Sequence, residues 1–324
     1  MPPLLDQSLA RTADALVRAE RLGDPVLLNV AAGWRGLIAC QAGDIDEFDR
    51  CHEIRELLLD RLDQPLLRWS QLFNRCLRAQ IAGDTDQAEQ LATEALQLGT
   101  ASGVADASVQ FGAQLIAISV QRGTVGELAP VIEQMAADTP DFAPALLAGV
   151  LAMAHAEADR TDEARLILEQ FAASGFALPL DQVWLIGMAE YAAVAIACRE
   201  PQYAAPLFDE LAPYANLLAT ASGGMADCPR SYHLGGLATV LGRYEEANAY
   251  FIQAAAFNER VDAKFAKFFA ARTNLLWGKM LVERGAAGDI EKARDLLTKA
   301  HEAAAANGYA TVERRAAAAL QHLD

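Results

Sequence analysis

The chain has 324 residues and a formal net charge of −16, from 27 basic and 43 acidic side chains. Nucleic-acid affinity depends largely on Lys and Arg that displace counterions, so this balance argues against direct binding to DNA, RNA or an anionic membrane. Hydrophobic residues make up 53% of the chain and aromatic residues only 7%, so Ala and Leu, the strongest helix formers, dominate the apolar surface. The composition predicts an all-α fold.

No segment indicates export or membrane insertion. The N-terminal "MPPLLDQSLARTADAL" has no basic region and places Asp6 where a signal peptide is apolar. The longest apolar runs, such as residues 145–156, fall short of the roughly 20 residues that a membrane span needs. The odd number of scattered cysteines predicts free buried thiols in a reducing compartment, and hence a soluble, cytoplasmic protein without disulfides. These cysteines are Cys40, Cys51, Cys76, Cys198 and Cys228.

A repeat of about 40 residues runs through the chain. Its clearest copy is "GRYEEANAYF" at 242–251, and the skeleton recurs in "GDTDQAEQLA" from Gly83 and "GDIEKARDLL" from Gly288. The Gly ends one helix in a left-handed conformation, the polar residues cap the next helix, and a small residue lets the two helices cross closely. Aligning the copies on Ala247 gives seven, at spacings of 40, 40, 36, 40, 43 and 46 residues. The aligned residues, called markers below, are Phe48, Ala88, Leu128, Ala164, Ala204, Ala247 and Ala293.

Self-similarity at this period is typical of a solenoid of helix pairs. We therefore expect one domain over residues 1–324, a right-handed superhelix of about 14 to 16 helices in antiparallel pairs, without any β-sheet. Helix-pair turns are predicted at Gly43, Gly83, Gly123, Asp159, Arg199, Gly242 and Gly288.

The sixth copy identifies the type of repeat. In "YHLGGLATVLGRYEEA" at 232–247, Leu234-Gly235 and Ala238 precede the turn, which is the tetratricopeptide order Leu-Gly-x-x-aromatic with Ala in the aromatic place. Trp277-Gly278 stands at the matching point of the last copy. The chain resembles a tetratricopeptide-like array whose repeats exceed the usual length of about 34 residues.

A longer resemblance covers about residues 68–308. Its segments are "QFGAQL" at 110–115, "DEARLILEQFAASGFALPLDQVWL" at 162–185, "LFDELAPYA" at 207–215, and residues 232–260 and 284–308. They resemble the C-terminal repeat region of large multidomain bacterial regulators, which carry an AAA-type ATPase with a LuxR-type helix-turn-helix or an adenylate/guanylate cyclase domain. The resemblance implies a regulatory surface that receives an inducer or an inhibitory partner and transmits binding to an output domain.

The parts of those regulators that use nucleotides are not present in this sequence. It contains no Gly-x-x-x-x-Gly-Lys-Ser/Thr loop, no cyclase domain and no basic helix-turn-helix. ATP, cyclic-nucleotide and DNA activities therefore do not carry over. The array is either part of a larger regulator or stands alone.

The sequence offers no complete catalytic or metal motif. "HEIRE" at 52–56 is half of a zinc motif, with Glu56 where the second histidine is required, and "HEAAA" at 301–305 fails in the same way. Cys51 and His52 are adjacent and point about 100° apart on a helix, so they do not form a nucleophile–base pair. We expect no metal, no cofactor and no enzymatic activity.

The first helix of each tetratricopeptide pair lines the concave groove, so the repeat phase indicates which side chains face it. Trp184 should begin the first helix of the fifth copy, with Asp181 as its cap. The amides, aromatic rings and Arg on this face would suit an extended peptide or a small polar ligand; alternatively, each residue only packs or is solvated. The predicted groove residues are Ser70, Phe73, Gln80, Gln110, Tyr232 and Arg272.

Residues 216–233, "NLLATASGGMADCPRSYH", interrupt the regular helix spacing. Such long connections are uncommon, so this one is either a lid or docking loop on the inner face or a bridge across an irregularity. Nearby, Lys264, Lys267, Arg230 and Arg272 would favour a carboxylate-bearing partner if they converge. The alternative is that they neutralise neighbouring Asp and Glu. The predicted contact is centred on Tyr232 and Arg272.

Two functions remain open. The leading prediction is a non-catalytic interaction or ligand-sensing module in transcription regulation or signal transduction. It would bind a protein, a peptide or a small-molecule inducer on the concave face, with a homodimer also possible. The alternative is a free-standing repeat adaptor without signal input.

Overall fold

The computed structural model describes residues 2–138, 144–181, 183–221, 224–262 and 266–323. In these residues it has sixteen α-helices, two 3₁₀ helices (Val125–Leu128 and Ala212–Tyr214) and one two-stranded sheet. Consecutive helices pack against each other, which confirms the predicted all-α helical-repeat fold and helix number, while the handedness of the superhelix stays a prediction. The α-helices are α1 (Pro2–Leu22), α2 (Pro25–Ala42), α3 (Ile45–Leu62), α4 (Pro65–Ala82), α5 (Thr85–Ala101), α6 (Ala107–Arg122), α7 (Ala129–Asp138), α8 (Pro144–Glu157), α9 (Thr161–Ala173), α10 (Trp184–Cys198), α11 (Pro201–Leu211), α12 (Arg230–Val240), α13 (Tyr244–Asp262), α14 (Lys267–Arg284), α15 (Asp289–Asn307) and α16 (Ala310–Gln321).

The backbone at the predicted turns is left-handed in all seven copies, with φ between 55° and 82°. Five of these residues are glycine, which adopts this conformation without a Cβ clash, and the other two are Asp159 and Arg199. In the last copy the first helix already ends at Gly285, and Gly288 precedes the second helix.

The marker residues lie where the helices of a pair cross. Ala88, Ala164, Ala204, Ala247 and Ala293 are all 0% exposed, as predicted. A small side chain at this position lets the two backbones approach, which explains why Ala recurs there.

Two copies depart from the Ala pattern. Phe48, the marker of the first copy, is 1% exposed and lies against Gly36 of α2, where a Cβ would come within 3.5 Å of the ring. In the third copy Leu128 is half-buried, and its neighbour Ala129 is the fully packed residue. Pro130 lies in the first turn of α7, where its missing N–H costs no hydrogen bond.

The prediction that the chain has no β-sheet is wrong. Strands β1 (Leu218–Ala221) and β2 (Met225–Pro229) form an antiparallel hairpin, with Ala219 opposite Asp227 and Thr220 opposite Ala226. The hairpin contacts α2, α4, α6, α10, α12, α13 and α14, so it fills the inside of the array. Buried backbone groups need partners, and strand pairing supplies them for a segment of small residues that enters this interior.

The C-terminal segment contacts helix ends of the second, third and fourth copies. Tyr309 Oη donates to the carbonyl oxygen of Gly83 at 3.1 Å, Thr311 Oγ1 to that of Gly123 at 3.5 Å, and Arg315 Nη2 to that of Ala156 at 2.9 Å. These carbonyls belong to helix ends, whose last C=O groups have no partner within the helix. The C-terminal repeats therefore close the array on the turns of earlier copies.

Within the described residues, none of the helices combines the length and the apolarity that crossing a membrane would require.

Candidate ligand site at the axis of the array

Two adjoining cavities lie on the axis of the closed array. The large chamber, about 220 Å³, is bounded by α6, α8, α10, α12, α14 and α16. The small chamber, about 40 Å³, lies between α6, α10 and the hairpin. Helices from the third copy to the last copy therefore border one space. The lining residues common to the two chambers are Val120, Met153, Ala193, Phe268 and Arg272.

Arg272 of α14 separates the chambers and holds two carboxylates. Its Nη2 lies 3.2 Å from Glu157 Oε1 of α8, and its Nη1 lies 3.4 Å from Asp227 Oδ1 of β2. The guanidinium also lies over the rings of Tyr232 and Phe268, at 5.1 and 5.6 Å from their centroids. Arg272 therefore joins α8, α12, α14 and the hairpin in one buried network.

Asp227 is the second centre of this network. Its Oδ2 accepts from Arg230 Nη2 at 3.0 Å and lies 3.2 Å from His233 Nε2. Burial alone would raise the pKa of Asp227, but His233, Arg230 and Arg272 outweigh it and hold that pKa well below its ordinary value. Burial lowers the pKa of His233 to about 4, with Arg230 acting in the same direction. At neutral pH the network therefore contains an ionised Asp227 and a neutral His233.

Glu190 of α10 borders the small chamber without a partner for its carboxyl group. The residue is 6% exposed, and neither oxygen has a hydrogen bond among the described residues. Burial and then the charge of Asp227 raise its pKa well above the ordinary value, so the acid is neutral. His233 Nδ1 and Gln121 Oε1, which also belong to lining residues, likewise have no partner there. The wall of the small chamber is therefore rich in unused hydrogen-bonding atoms.

Lys279 of α14 differs from the other cations of the large chamber. Arg199 pairs with Glu283 at 2.7 Å, and Arg315 pairs with Glu157 at 3.1 Å. Lys279 is exposed, borders the chamber and forms no ion pair or hydrogen bond with any described residue. Its pKa is lowered, by desolvation first and then by Arg315 and Arg199, against the opposing charges of Glu283 and Asp159.

Three of the six predicted groove residues, Gln80, Tyr232 and Arg272, come together at the hairpin with Arg230, one of the bases predicted to favour a carboxylate-bearing partner. Gln80 is 0% exposed, and its Nε2 donates to the Gly224 carbonyl oxygen at 3.0 Å. Tyr232 and Arg272 line the large chamber, whereas Arg230 is fully buried behind the hairpin. These side chains contact the hairpin and one another, so they face no open groove.

The other three predicted groove residues, Ser70, Phe73 and Gln110, do not join them. Phe73 is half-buried and packs edge-on against Trp69, with ring centroids 4.9 Å apart, and Gln110 is half-buried on α6. Neither lines a chamber. Ser70, from the same face, accepts from Arg55 Nη2 at 2.6 Å.

The prediction that Asp181 caps α10 is wrong, because Val183 is the N-cap residue and α10 has no side-chain capping hydrogen bond. Asp181 Oδ1 accepts from the backbone N–H of Val183 at 2.9 Å, and α10 begins at Trp184.

The predicted convergence of bases is partial. Arg230 and Arg272 meet at Asp227, so a carboxylate of the chain itself stands where a partner's carboxylate was one expectation. Lys267 is exposed and donates to Asn307 Oδ1 at 3.3 Å, and Lys264 lies outside the described residues. The arrangement of the two arginines matches the alternative in which they neutralise neighbouring acids.

The thiols and the half zinc motif have ordinary surroundings. Burial raises the pKa of Cys51 to about 11 and those of Cys40, Cys76 and Cys228 to about 12. Burial also lowers the pKa of the adjacent His52 to about 3. Among the described residues, no group of three or more His, Cys, Asp or Glu side chains is arranged to hold a metal ion.

Most of the axial site was not recognised in the sequence. Glu190 had a usable signal, since it is the only charged residue in "WLIGMAEYAAVAIAC". No such signal marked Glu157, Asp227 or Lys279, because charged residues near helix ends and loops are common and usually solvated. Only the closure of the array brings them to one cavity.

No protein-family model matches the chain, and no curated protein matches it significantly.

Proposed function

We propose that this chain is a non-catalytic ligand-sensing module that binds a small molecule in the large chamber. The observation that supports this proposal is the position of the chamber, between helices from early copies and the last helix, α16. A molecule bound there would contact helices of the third copy and of the last copy at once. Cavities of about 150 Å³ hold a benzene-sized molecule, so this one suits a ligand of on the order of ten non-hydrogen atoms.

Closure of the helical array on ligand binding would provide the output signal. A ligand that touches α10, α12, α14 and α16 together binds the closed array more tightly than an opened one, and it stabilises the closed array in proportion to that difference in affinity. The state of the contacts that the C-terminal segment makes at Gly83, Gly123 and Ala156 would then depend on occupancy. A surface that forms or disappears with closure would be read by a partner or output domain.

The resemblance to repeat regions of bacterial regulators supports the same role. In such a regulator, a tetratricopeptide-like domain of this kind would act in the cytoplasm as the input for signal transduction or transcription regulation. DNA contact and nucleotide hydrolysis would belong to other domains. The net charge of −16 is consistent with a module that does not bind nucleic acid itself.

The chemistry of the site supports binding rather than catalysis. Thiolates are the reactive form of cysteine, and burial holds the pKa values of the thiols well above neutral pH. In the large chamber the carboxylates are paired with arginines, as Glu157 is with Arg272 and Arg315. Such an arrangement orients and neutralises charges.

A surface feature favours the alternative, a repeat adaptor. An open groove of about 780 Å³ runs between α3, α4 and α5, lined by charged residues of both signs that include Asp49, Glu53 and Arg75. A segment of another protein would fit such a groove. In that case the axial chambers would serve only packing.

Binding to the purified chain tests the proposal. Native mass spectrometry would detect a co-purifying molecule, and thermal unfolding would be followed with defined panels of carboxylic acids, amino acids, sugars and nucleosides. We expect at least one class to raise the Tm. Ala193→Phe, which places a ring in the chambers, should abolish that rise. Ala256→Phe, on the exposed face of α13, should preserve it.

The proposal fails if the mass spectrum shows only the bare chain and no panel raises the Tm. It also fails if Ala193→Phe responds like the wild type. Either result would favour the alternative function, in which the chain is a repeat adaptor.

A further inference from the structure

The charged residues around the large chamber do not balance. Its lining contains four basic residues and three acidic ones, although the whole chain has a net charge of −16. The excess at the chamber is thus one positive charge, opposite in sign to the protein. The four basic residues are Arg199, Arg272, Lys279 and Arg315, and the three acidic ones are Glu157, Asp159 and Glu283.

The excess charge is located on Lys279. Each of the three arginines has a carboxylate within 3.2 Å, whereas Lys279 forms no ion pair with the described residues. Desolvation and the charges of Arg315 and Arg199 lower the pKa of Lys279, whereas Glu283 and Asp159 raise it, and the lowering dominates. A bound carboxylate would supply the direct ion pair that Lys279 lacks among the described residues. An anion bound at this position would therefore be stabilised by an ion pair with Lys279, whereas a cation or a neutral molecule would not.

Part of the lining of the large chamber is apolar. Leu275, Leu276 and Met280 of α14 border the same space, together with Ile196 and Phe251. A ligand for this chamber therefore needs a compact hydrocarbon body as well as an anionic group, since burial of apolar surface drives most of the affinity in such cavities.

We infer that the large chamber binds a small monocarboxylate with a compact apolar body, held through an ion pair between its carboxylate and Lys279. This inference rests on the proposed ligand-sensing function and names its ligand class. One ammonium without a partner among the described residues matches one negative charge, so a monoanion neutralises the chamber, whereas a phosphate dianion would leave one negative charge in excess. Charge-assisted hydrogen bonds from Lys279 to the carboxylate would orient the ligand with its apolar body toward Phe251.

The test uses benzoate and cyclohexanecarboxylate as probes with the full chain. Benzamide, which has nearly the shape of benzoate but no charge, is the matched neutral probe. We expect both carboxylates to raise the Tm and to bind measurably by calorimetry, with affinity that falls as the NaCl concentration increases. Benzamide should bind at least about tenfold more weakly than benzoate, because the charge-assisted contact is lost.

Variants of two lysines on α14 locate the contact. Lys279→Gln should weaken benzoate binding about tenfold and remove the preference over benzamide, while Lys279→Arg, which keeps the charge, should retain most of it. Lys267→Gln, an exposed position on the same helix, should bind like the wild type. Lys279 has no ion pair to lose, so the Tm of the unliganded Lys279→Gln variant should match that of the wild type.

Three results would overturn the inference. They are a benzamide affinity equal to that of benzoate, wild-type benzoate affinity in Lys279→Gln, and absence of any carboxylate effect on the Tm. The panel experiment distinguishes these from failure of the proposed function. A neutral sugar or nucleoside that raises the Tm of the wild type but not of Ala193→Phe would refute the inference of a carboxylate ligand. It would still support the proposed ligand-sensing function.

Discussion

Tyr309 donates a hydrogen bond to the carbonyl oxygen of Gly83, 226 residues earlier in the chain, at 3.1 Å. The ring is 0% exposed and also packs edge-on against Phe268, with centroids 5.0 Å apart. Gly83 therefore has two roles, since it ends α4 with a left-handed backbone and leaves room for the hydroxyl of a distant repeat. A Cβ on Gly83 would overlap the Tyr309 hydroxyl.

The first prediction concerns this contact. Tyr309→Phe should lower the free energy of unfolding by about 1 kcal/mol, because one buried hydrogen bond is lost. Gly83→Ala should cost clearly more than Gly242→Ala, since both have φ near 70–75° but only the Cβ at 83 meets a neighbour. Urea unfolding of the three variants measures these losses of stability.

The double variant Gly83→Ala/Tyr309→Phe gives the control. Removing the hydroxyl relieves the overlap, so the double variant should lose less stability than the sum of the losses in the two single variants. Equal losses of stability for Gly83→Ala and Gly242→Ala would contradict the contact between Gly83 and Tyr309 that closes the array.

The second prediction concerns the helix crossings. Ala247→Leu should lower the free energy of unfolding by about 1–3 kcal/mol, because Ala247 is 0% exposed where α12 and α13 cross and has no space for three more carbons. Ala256→Leu, on the exposed face of α13, should change it by less than about 0.5 kcal/mol. Thermal unfolding of the two variants checks this; an unchanged Tm for Ala247→Leu would mean that the repeat register is wrong.

The third prediction concerns Arg272. Arg272→Met should lower the free energy of unfolding by about 3–5 kcal/mol, because Glu157 and Asp227 would lose a buried partner. Arg18→Met should cost less than about 1 kcal/mol, since Arg18 is 73% exposed and pairs with Asp14 at the surface. Denaturant titration compares them, and similar small losses would show that the axial network is not formed.

This expected loss also affects how ligand tests are designed. A response lost in an Arg272 variant would be difficult to separate from lost stability. Lys279 is therefore the better position for testing ligand contact.

The fourth prediction concerns pH. The pKa of Glu190 is raised in the folded state, by burial first, while in the unfolded chain it has its ordinary value of 4.5. Its protonation therefore stabilises the fold fully below pH 4.5, and this contribution is lost as the pH rises toward the folded pKa. Glu190→Gln cannot ionise, so its stability relative to the wild type should increase by up to about 1.4 kcal/mol per pH unit above that value.

Urea unfolding from about pH 5 to about pH 8 measures this difference, with Glu259→Gln on the exposed face of α13 as the control. A difference between Glu190→Gln and the wild type that stays constant over this range would show that the carboxyl group is ionised in the folded protein.

Local chemistry determined the repeat. The markers Ala88, Ala164 and Ala247 and the turns at Gly83 and Asp159 were predictable, because a helix crossing and a left-handed helix end each depend on a few neighbouring residues. Composition and a seven-copy register were enough for the class of fold and the number of helices.

Tertiary structure alone decided the site. Residues 218–221 and 225–229 form paired strands because the interior of the closed array requires their backbone groups to be hydrogen-bonded, and helix periodicity in the sequence does not reveal that requirement. Glu157, Asp227 and Arg272 form one network only because α8, β2 and α14 meet at the axis. Lys279 stands out because its neighbours are ion-paired and it has no such partner among the described residues. Contacts between residues more than 100 positions apart depend on how the repeats curve, and small rotations between successive helix pairs, which no local pattern specifies, set that curvature.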